Sequence, residues 1–178
     1  MVSANDVVNF FVLNTSHPER MTNMRANKLA YYAQAWSLAR LGRPLFQDKI
    51  EAWEHGPVVT PVYYSYSYLK DAPIPVPKDT SFLSRFTDDE CQLLLDVARE
   101  YDCMSTWQLR NLSHSAGEPW RAVYDPDRKH IEIPPELMKE CFMQFDPLPL
   151  ASPLSEIPVV SSLPADWDDP SWEEYAPK

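Results

Sequence analysis

The spacing of apolar residues along the chain predicts a mainly helical protein. Apolar residues three and four positions apart recur through residues 1–146, and most such segments begin at a Ser, Thr or Pro that suits a helix N-terminus. The predicted helices cover residues 4–14, 23–41, 57–70, 88–101 and 119–124. A further helix is capped by Ser105 and carries Leu109 and Leu112, and Pro134 or Pro135 opens a last helix that reaches Phe145. We therefore expect a compact domain of about six to seven helices.

The helix predicted over residues 23–41 is apolar on both sides. Leu29 and Tyr32 lie on one face, whereas Tyr31 and Leu38 lie on the other. A helix that is apolar all round is normally enclosed by the rest of its domain. We predict that this helix occupies the centre of the fold and that Gly42 ends it.

A small β element is predicted after this helix. Residues 45–46 and 50–53 are apolar segments around a polar Gln-Asp-Lys turn, so they are expected to pair as a hairpin. Gly56 permits a tight backbone turn, and Pro57 suits the first position of the next helix. Residues 131–133, Ile-Glu-Ile, are predicted to add a third strand. The predicted fold class is mainly α, with a two- to three-stranded antiparallel β element and a Pro-rich acidic C-terminal tail.

Residues 147–178 differ in composition from the rest of the chain. They contain seven of the 18 prolines and show no helical periodicity, which predicts either a disordered acidic tail or an arm that binds a partner. Exposed Trp and Tyr are frequent binding anchors, and the alternative is that these rings fold back onto the protein's own core. The candidate binding residues of the tail are Trp167, Asp168, Asp169, Trp172, Glu173, Glu174 and Tyr175. The predicted units are therefore a domain over residues 1–146 and a tail over 147–178.

The formal net charge is −10, and both parts of the chain contribute equally to it. Residues 1–146 hold 20 acidic and 15 basic residues, whereas residues 147–178 hold six and one. This acidity argues against nucleic-acid binding and favours either a basic partner or simple solubility. The chain shows no signal peptide and no long apolar run, so we expect no membrane association and a cytoplasmic location.

No group of residues has the spacing of a catalytic or metal site. The four histidines are not four residues from one another or from a cysteine, and the three scattered cysteines, expected to be buried reduced thiols, form no Cys-x-x-Cys pair. We expect Lys28 either to snorkel or to pair with an acid such as Glu51 or Glu54, and His114 to cap or bridge helices. The protein is therefore predicted not to be an enzyme and to need neither a cofactor nor a metal.

Five segments of the chain resemble the Panacea domain family, also called SocA-like. They are residues 28–36 (KLAYYAQAW), 42–46 (GRPLF), 50–59 (IEAWEHGPVV), 112–114 (LSH) and 119–120 (PW). The first three appear in the order that the family has, and the whole resemblance spans residues 5–146. The chain departs from the family at Asn27, where Gln is common, and at Ala30, where Leu is common.

The resemblance implies a mainly helical domain that acts as an antitoxin. Family members neutralise toxins encoded beside them, many of which inhibit translation, including small-alarmone-synthetase-like enzymes that modify tRNA. At least one relative delivers its toxin to a ClpXP-type protease. The family-motif residues, expected to form scaffold or partner surface, are Lys28, Tyr32, Gln34, Trp36, Trp53, Gly56, Pro57, His114, Pro119 and Trp120.

The leading hypothesis is a non-enzymatic antitoxin that binds its cognate toxin directly, with the acidic tail meeting a basic surface on that toxin. The alternative is a proteolytic adaptor that delivers the toxin to a ClpXP-type protease. An enzyme that used Lys28 or His114 would need a buried pocket joining such groups. A DNA-binding regulator would need a basic stripe, which the sequence lacks.

Overall fold

The computed structural model describes residues 2–148 and shows a mainly helical domain with one small sheet. Within that part of the chain there are seven α-helices and two paired strands. The helices are α1 (Ala4–Asn14), α2 (Asn23–Trp36), α3 (Thr60–Tyr66), α4 (Asp88–Tyr101), α5 (Thr106–Ser113), α6 (Pro119–Val123) and α7 (Pro135–Phe142), and the strands are β1 (Ile50–Trp53) and β2 (Gly56–Val59). The prediction of a mainly α fold with a small antiparallel β element is confirmed.

Side-chain caps define where several helices begin. At α4, the Thr87 hydroxyl accepts from the backbone N–H of Glu90 at 3.3 Å, and the Glu90 carboxylate accepts from the backbone N–H of Thr87 at 2.9 Å. This reciprocal pair satisfies two donors that the first turn of a helix leaves free. Ser3 and Ser105 form the same kind of pair at α1 and α5. Because these caps depend on local sequence, the predicted starts of the three helices agree with the structure.

Helix α2 is the centre of the fold. Every residue from Asn23 to Trp36 is buried, and the helix packs against α1, α3, α4, α5, α7 and β2. Its last turn widens into a π-type turn over Ser37–Leu41 and ends at Gly42, whose φ of 72° is left-handed. The prediction of a central helix that ends at Gly42 is confirmed.

The predicted hairpin partner of β1 was wrong. β1 pairs with β2 in antiparallel register, from Ile50 opposite Val59 to Trp53 opposite Gly56, whereas Leu45 and Phe46 lie in no strand. The side-chain oxygen of Gln34 accepts from the N–H groups of Leu45 (2.8 Å) and Phe46 (3.2 Å), and its amide donates to the carbonyl of Phe46 at 2.9 Å. The side chain of Gln34, on α2, thus satisfies backbone groups that a paired strand would otherwise have satisfied.

The predicted helix start at Pro57 was also wrong. Pro57 lies in β2 opposite Ala52, and α3 begins at Thr60 with Pro61 in its first turn. Extended backbone accepts a proline where no ladder donor is required, and the β-branched Val58 and Val59 favour a strand. The Thr-Pro pair at 60–61 is the sequence signal that marks the true start.

The third strand predicted at residues 131–133 is present as a single antiparallel bridge. Glu132 lies opposite Glu51, the N–H of Ala52 donates to the carbonyl of Ile131 at 2.8 Å, and the N–H of Ile133 donates to the carbonyl of Ile50 at 2.8 Å. The edge of β1 that faces away from β2 is therefore covered.

The remaining predictions concern thiols, membranes and the tail. Cys91 and Cys141 are half-buried and Cys103 is exposed, so the expectation of buried thiols is wrong for Cys103. No helix within residues 2–148 is both long enough and apolar enough to cross a membrane. The tail residues from 149 onwards, including all candidate binding residues between 167 and 175, lie outside the described part of the chain.

Candidate functional site

Lys28 lies at the middle of α2 and holds the turn of the β hairpin. The side chain is fully buried, and its amine donates to the carbonyls of His55 at 2.6 Å and Pro57 at 3.0 Å. Burial, helped by the nearby guanidinium of Arg110, lowers the pKa of Lys28 well below its usual value. The predicted ion pair with an acid is replaced by these carbonyl contacts, and the carboxylate of Glu51 accepts from His130 at 2.9 Å instead.

Gly56 is the point at which three elements meet most closely. Its φ is +98°, and a Cβ at this position would lie 2.7 Å from the Ser113 hydroxyl, 2.8 Å from the Lys28 amine and 3.0 Å from Cε1 of His114. Only glycine combines this backbone conformation with so little space. The sequence indicated the turn, whereas the close approach of α2 and α5 to it depends on the tertiary structure.

His114 connects the end of α5 to the same turn. Its Nδ1 lies 2.7 Å from the carbonyl of Arg110, and its Nε2 lies 3.3 Å from the carbonyl of Glu54. The pKa of His114 is lowered to about 4, mainly because burial disfavours the charged ring, although the two backbone hydrogen bonds oppose the shift. The ring is therefore neutral near pH 7, where the shorter contact assigns its proton to Nδ1.

Trp120 closes the turn from the side of α6. Its indole N–H donates to the carbonyl of Trp53 at 2.7 Å, and its ring centroid lies 3.8 Å from that of His114. Pro119 occupies the first turn of α6, where a missing N–H removes no hydrogen bond, and it is buried. Trp120 and His114 thus attach two separate helices to one β turn.

We use the term turn cluster for the family-motif residues that surround the hairpin turn: Lys28, Trp53, Gly56, Pro57, His114, Pro119 and Trp120. The other three family-motif residues lie elsewhere on α2. Tyr32 stacks on Tyr101 with centroids 4.4 Å apart, Trp36 donates to the Tyr101 hydroxyl at 2.9 Å, and Gln34 holds residues 45–46 as described above. The motif therefore separates into a turn cluster and a group that packs the core.

Sequence reasoning missed three polar side chains that complete this architecture. Asn27 accepts from the N–H of Val59 at 2.9 Å, which fastens β2 to α2 one residue before Lys28. Ser113 is fully buried and donates to the carbonyl of Arg110 at 2.7 Å. Arg25, also buried, donates to the carbonyls of Asp102 and Met104. The polar residues on the otherwise apolar α2 were the available signal, because a buried polar group requires a partner.

A second buried polar contact lies deeper in the core. The hydroxyl of Tyr31 donates to the carboxyl of Glu118 at 2.8 Å, and both side chains are buried. Burial raises the pKa of Glu118 to about 7, although the hydrogen bond from Tyr31 opposes the shift. This pair connects α2 to the residue before α6.

A cleft of about 410 Å³ lies between the loop before β1 and the first turns of α7. Its walls include Leu38, Phe46 and Met138, and the Lys49–Glu132 ion pair of 2.9 Å stands at its edge. Neither Lys28 nor His114 lines it, so it does not join the groups that an enzyme hypothesis would need. Among residues 2–148, no three His, Cys, Asp or Glu side chains are grouped to hold a metal ion.

Comparison with known proteins agrees with this architecture. A family described as "Antitoxin SocA-like, Panacea domain" matches residues 27–121, a range that contains the whole turn cluster. Antitoxin SocA of Caulobacter vibrioides (strain NA1000 / CB15N) is 31% identical over 118 residues, which cover 58% of this chain and 60% of that relative. The chain therefore spans well under two thirds of the relative's length. No solved structure matches the chain at a significant level.

Proposed function

Because this chain belongs to the antitoxin SocA-like, Panacea domain family, we propose that it is an antitoxin that neutralises a cognate protein toxin by binding it directly. The observation that carries the proposal is the family match over residues 27–121, which begins one residue before Lys28 and ends one residue after Trp120. The turn cluster therefore lies within the part of the chain that the family shares.

The polar groups in and beside the turn cluster support binding rather than catalysis. Lys28, Ser113 and His114 direct their polar atoms to backbone carbonyls, and the first two are fully buried. A catalytic group must be within hydrogen-bond reach of a substrate, whereas these groups make their hydrogen bonds with the chain's own backbone. The turn cluster acts as scaffold, and the toxin binds the surface that this scaffold presents.

The charge of the chain favours a basic partner. The formal net charge is −10, and complementary charge steers two proteins together and discriminates against wrong partners. A toxin that inhibits translation by modifying tRNA, of the small-alarmone-synthetase-like kind, needs a basic surface for its RNA. We propose a toxin of this type, in the cytoplasm, as the partner.

The test is co-expression with the protein encoded by the adjacent reading frame. Induction of that protein alone should stop growth, and simultaneous expression of this chain should restore it and yield a complex on size-exclusion chromatography. Absence of growth arrest, or arrest that this chain does not relieve, would overturn the antitoxin proposal. Protection that persists in cells lacking ClpXP supports direct neutralisation, whereas protection lost only in those cells identifies a proteolytic adaptor.

The acidic tail is proposed as an additional contact. Truncation to residues 1–146 removes six acidic residues and the anchors Trp167, Trp172 and Tyr175, and should weaken neutralisation in the same growth assay. A matched variant that replaces only these three aromatic residues with Ser separates the contribution of the rings from that of the charge. Full protection by the truncated chain would overturn the role of the tail and leave the antitoxin proposal intact.

A further inference from the structure

The segment of residues 60–69 has an unusual surface for this protein. Charged residues make up 24% of the chain, yet these ten consecutive positions carry none, and they hold four of the nine tyrosines. Tyr64 is 62% exposed and Tyr68 is 71% exposed, which makes them the two most exposed aromatic side chains within residues 2–148. They lie four residues apart, Tyr64 in the last turn of α3 and Tyr68 in the 3-10 turn that follows it over Ser67–Leu69.

The segment is held rigidly although its tyrosines are exposed. Val62 is buried beneath it, and the side-chain amide of Asn23 donates to the carbonyl of Tyr63 at 3.0 Å. On the side of α1, the amide of Asn5 donates to the Ser65 hydroxyl at 3.0 Å. The exposed rings therefore project from a fixed backbone, which reduces the entropy lost when a partner binds.

A line of ring contacts connects Tyr64 to the turn cluster. The ring of Trp53, which is buried, lies edge-on to that of Tyr63 with centroids 4.9 Å apart. Tyr63 in turn contacts Tyr64 at 5.2 Å, again edge-on. The scaffold shared with the family thus supports the position of a surface residue that its motif does not include.

We propose that the rings of Tyr63, Tyr64 and Tyr68, the tyrosine surface, bind a patch of Arg and Lys side chains on the toxin. The inference rests on the antitoxin function proposed above. Tyrosine offers a large rigid ring and a hydroxyl at low entropic cost, and the negative face of its ring attracts guanidinium and ammonium groups. The segment presents no cation of its own over residues 60–69, and the net charge of −10 draws a basic partner towards it.

The test uses purified full-length chain and the purified toxin encoded by the adjacent reading frame. The double variant Tyr64→Ala/Tyr68→Ala should bind about 30-fold more weakly in titration calorimetry, as expected when interface hot spots are truncated. The variant Tyr64→Phe/Tyr68→Phe keeps the rings and should retain most of the affinity. Met143→Ala is the matched control, because Met143 is 65% exposed and lies outside this segment. Unchanged urea unfolding of all variants verifies that each is folded.

The outcomes separate the inference from the function on which it rests. A wild-type chain that gives no protection in cells overturns both, whereas protection and affinity retained by the Ala double variant overturn the tyrosine surface alone. A wild-type dimer that the double variant converts to a monomer assigns the surface to a second copy of the chain and also overturns the inference. Affinity must fall as salt rises, because a salt-independent complex excludes a basic patch as the occupant.

Discussion

Replacing Gly56 with Ala tests the close packing of the turn cluster. The new Cβ would lie 2.7 Å from the Ser113 hydroxyl and 2.8 Å from the Lys28 amine, closer than carbon atoms approach such groups. Neither neighbour can withdraw freely, since Ser113 donates to Arg110 at 2.7 Å and Lys28 donates to two carbonyls of the turn. The backbone must also keep a φ of +98° with a side chain present.

The expected loss of stability combines two effects. A residue with a side chain in the left-handed region is destabilised by about 1–2 kcal/mol relative to glycine. Overpacking a filled interior adds about 1–3 kcal/mol. We therefore expect Gly56→Ala to lower the free energy of unfolding by about 2–5 kcal/mol, which is a large part of the total free energy of unfolding of an ordinary domain.

Gly42→Ala is the matched control for this experiment. Gly42 also has a positive φ, +72°, but a Cβ there meets no atom within 4 Å. Gly42→Ala should therefore lose stability through backbone conformation alone. The difference between the free energies of unfolding of the two variants then measures the steric cost at the turn. Urea unfolding followed by circular dichroism gives both free energies by linear extrapolation. Equal losses for the two variants would refute the steric argument.

Two further predictions concern single polar side chains. The pKa of Glu118 is raised from 4.5 to about 7, so between these pH values the folded protein holds a proton that the unfolded chain has released. Stability from this group is thus fully present below pH 4.5 and is lost as the pH rises through 7, by up to about 3 kcal/mol. Glu118→Gln should remove this dependence of stability on pH. Urea unfolding at pH 5 and pH 8 would contradict the prediction if the free energies of unfolding of both proteins changed equally. Gln34→Ala should lower the free energy of unfolding by about 2–4 kcal/mol and accelerate hydrogen exchange at the amides of Leu45 and Phe46. Gln47→Ala is the control and should do neither, because Gln47 is exposed. Unchanged exchange at the two amides would show that Gln34 does not hold them.

The helices were predictable because their signals are local. The Thr87–Glu90 capping pair and the Ser3 and Ser105 caps act within three residues, and apolar spacing marks the buried face without knowledge of the partner. The family motif could likewise be identified from the sequence, because its segments occur in a fixed order along the chain. These features need no information about distant segments.

Two of the errors concern hydrogen bonds whose partners are distant in sequence. Leu45 and Phe46 have the apolar character of a strand, yet their N–H groups bond to Gln34, more than ten positions earlier. One expectation was that Lys28 forms an ion pair with an acidic side chain. Its amine instead donates to two backbone carbonyls of the hairpin. The sequence shows that a polar side chain in an apolar helix needs a hydrogen-bond partner, but it does not show which of several equivalent partners the fold brings close.

The sequence by itself determined that the helices exist, the caps of α1, α4 and α5, the central position of α2 and the family to be expected. Only the tertiary structure decided where α3 begins, that Lys28, Gly56, His114 and Trp120 surround one turn, and that Tyr64 and Tyr68 remain at the surface. The physical reason is the separation along the sequence over which each interaction acts. Helix propensity and capping act between neighbours along the chain, whereas burial and hydrogen-bond pairing act between residues that only folding brings together.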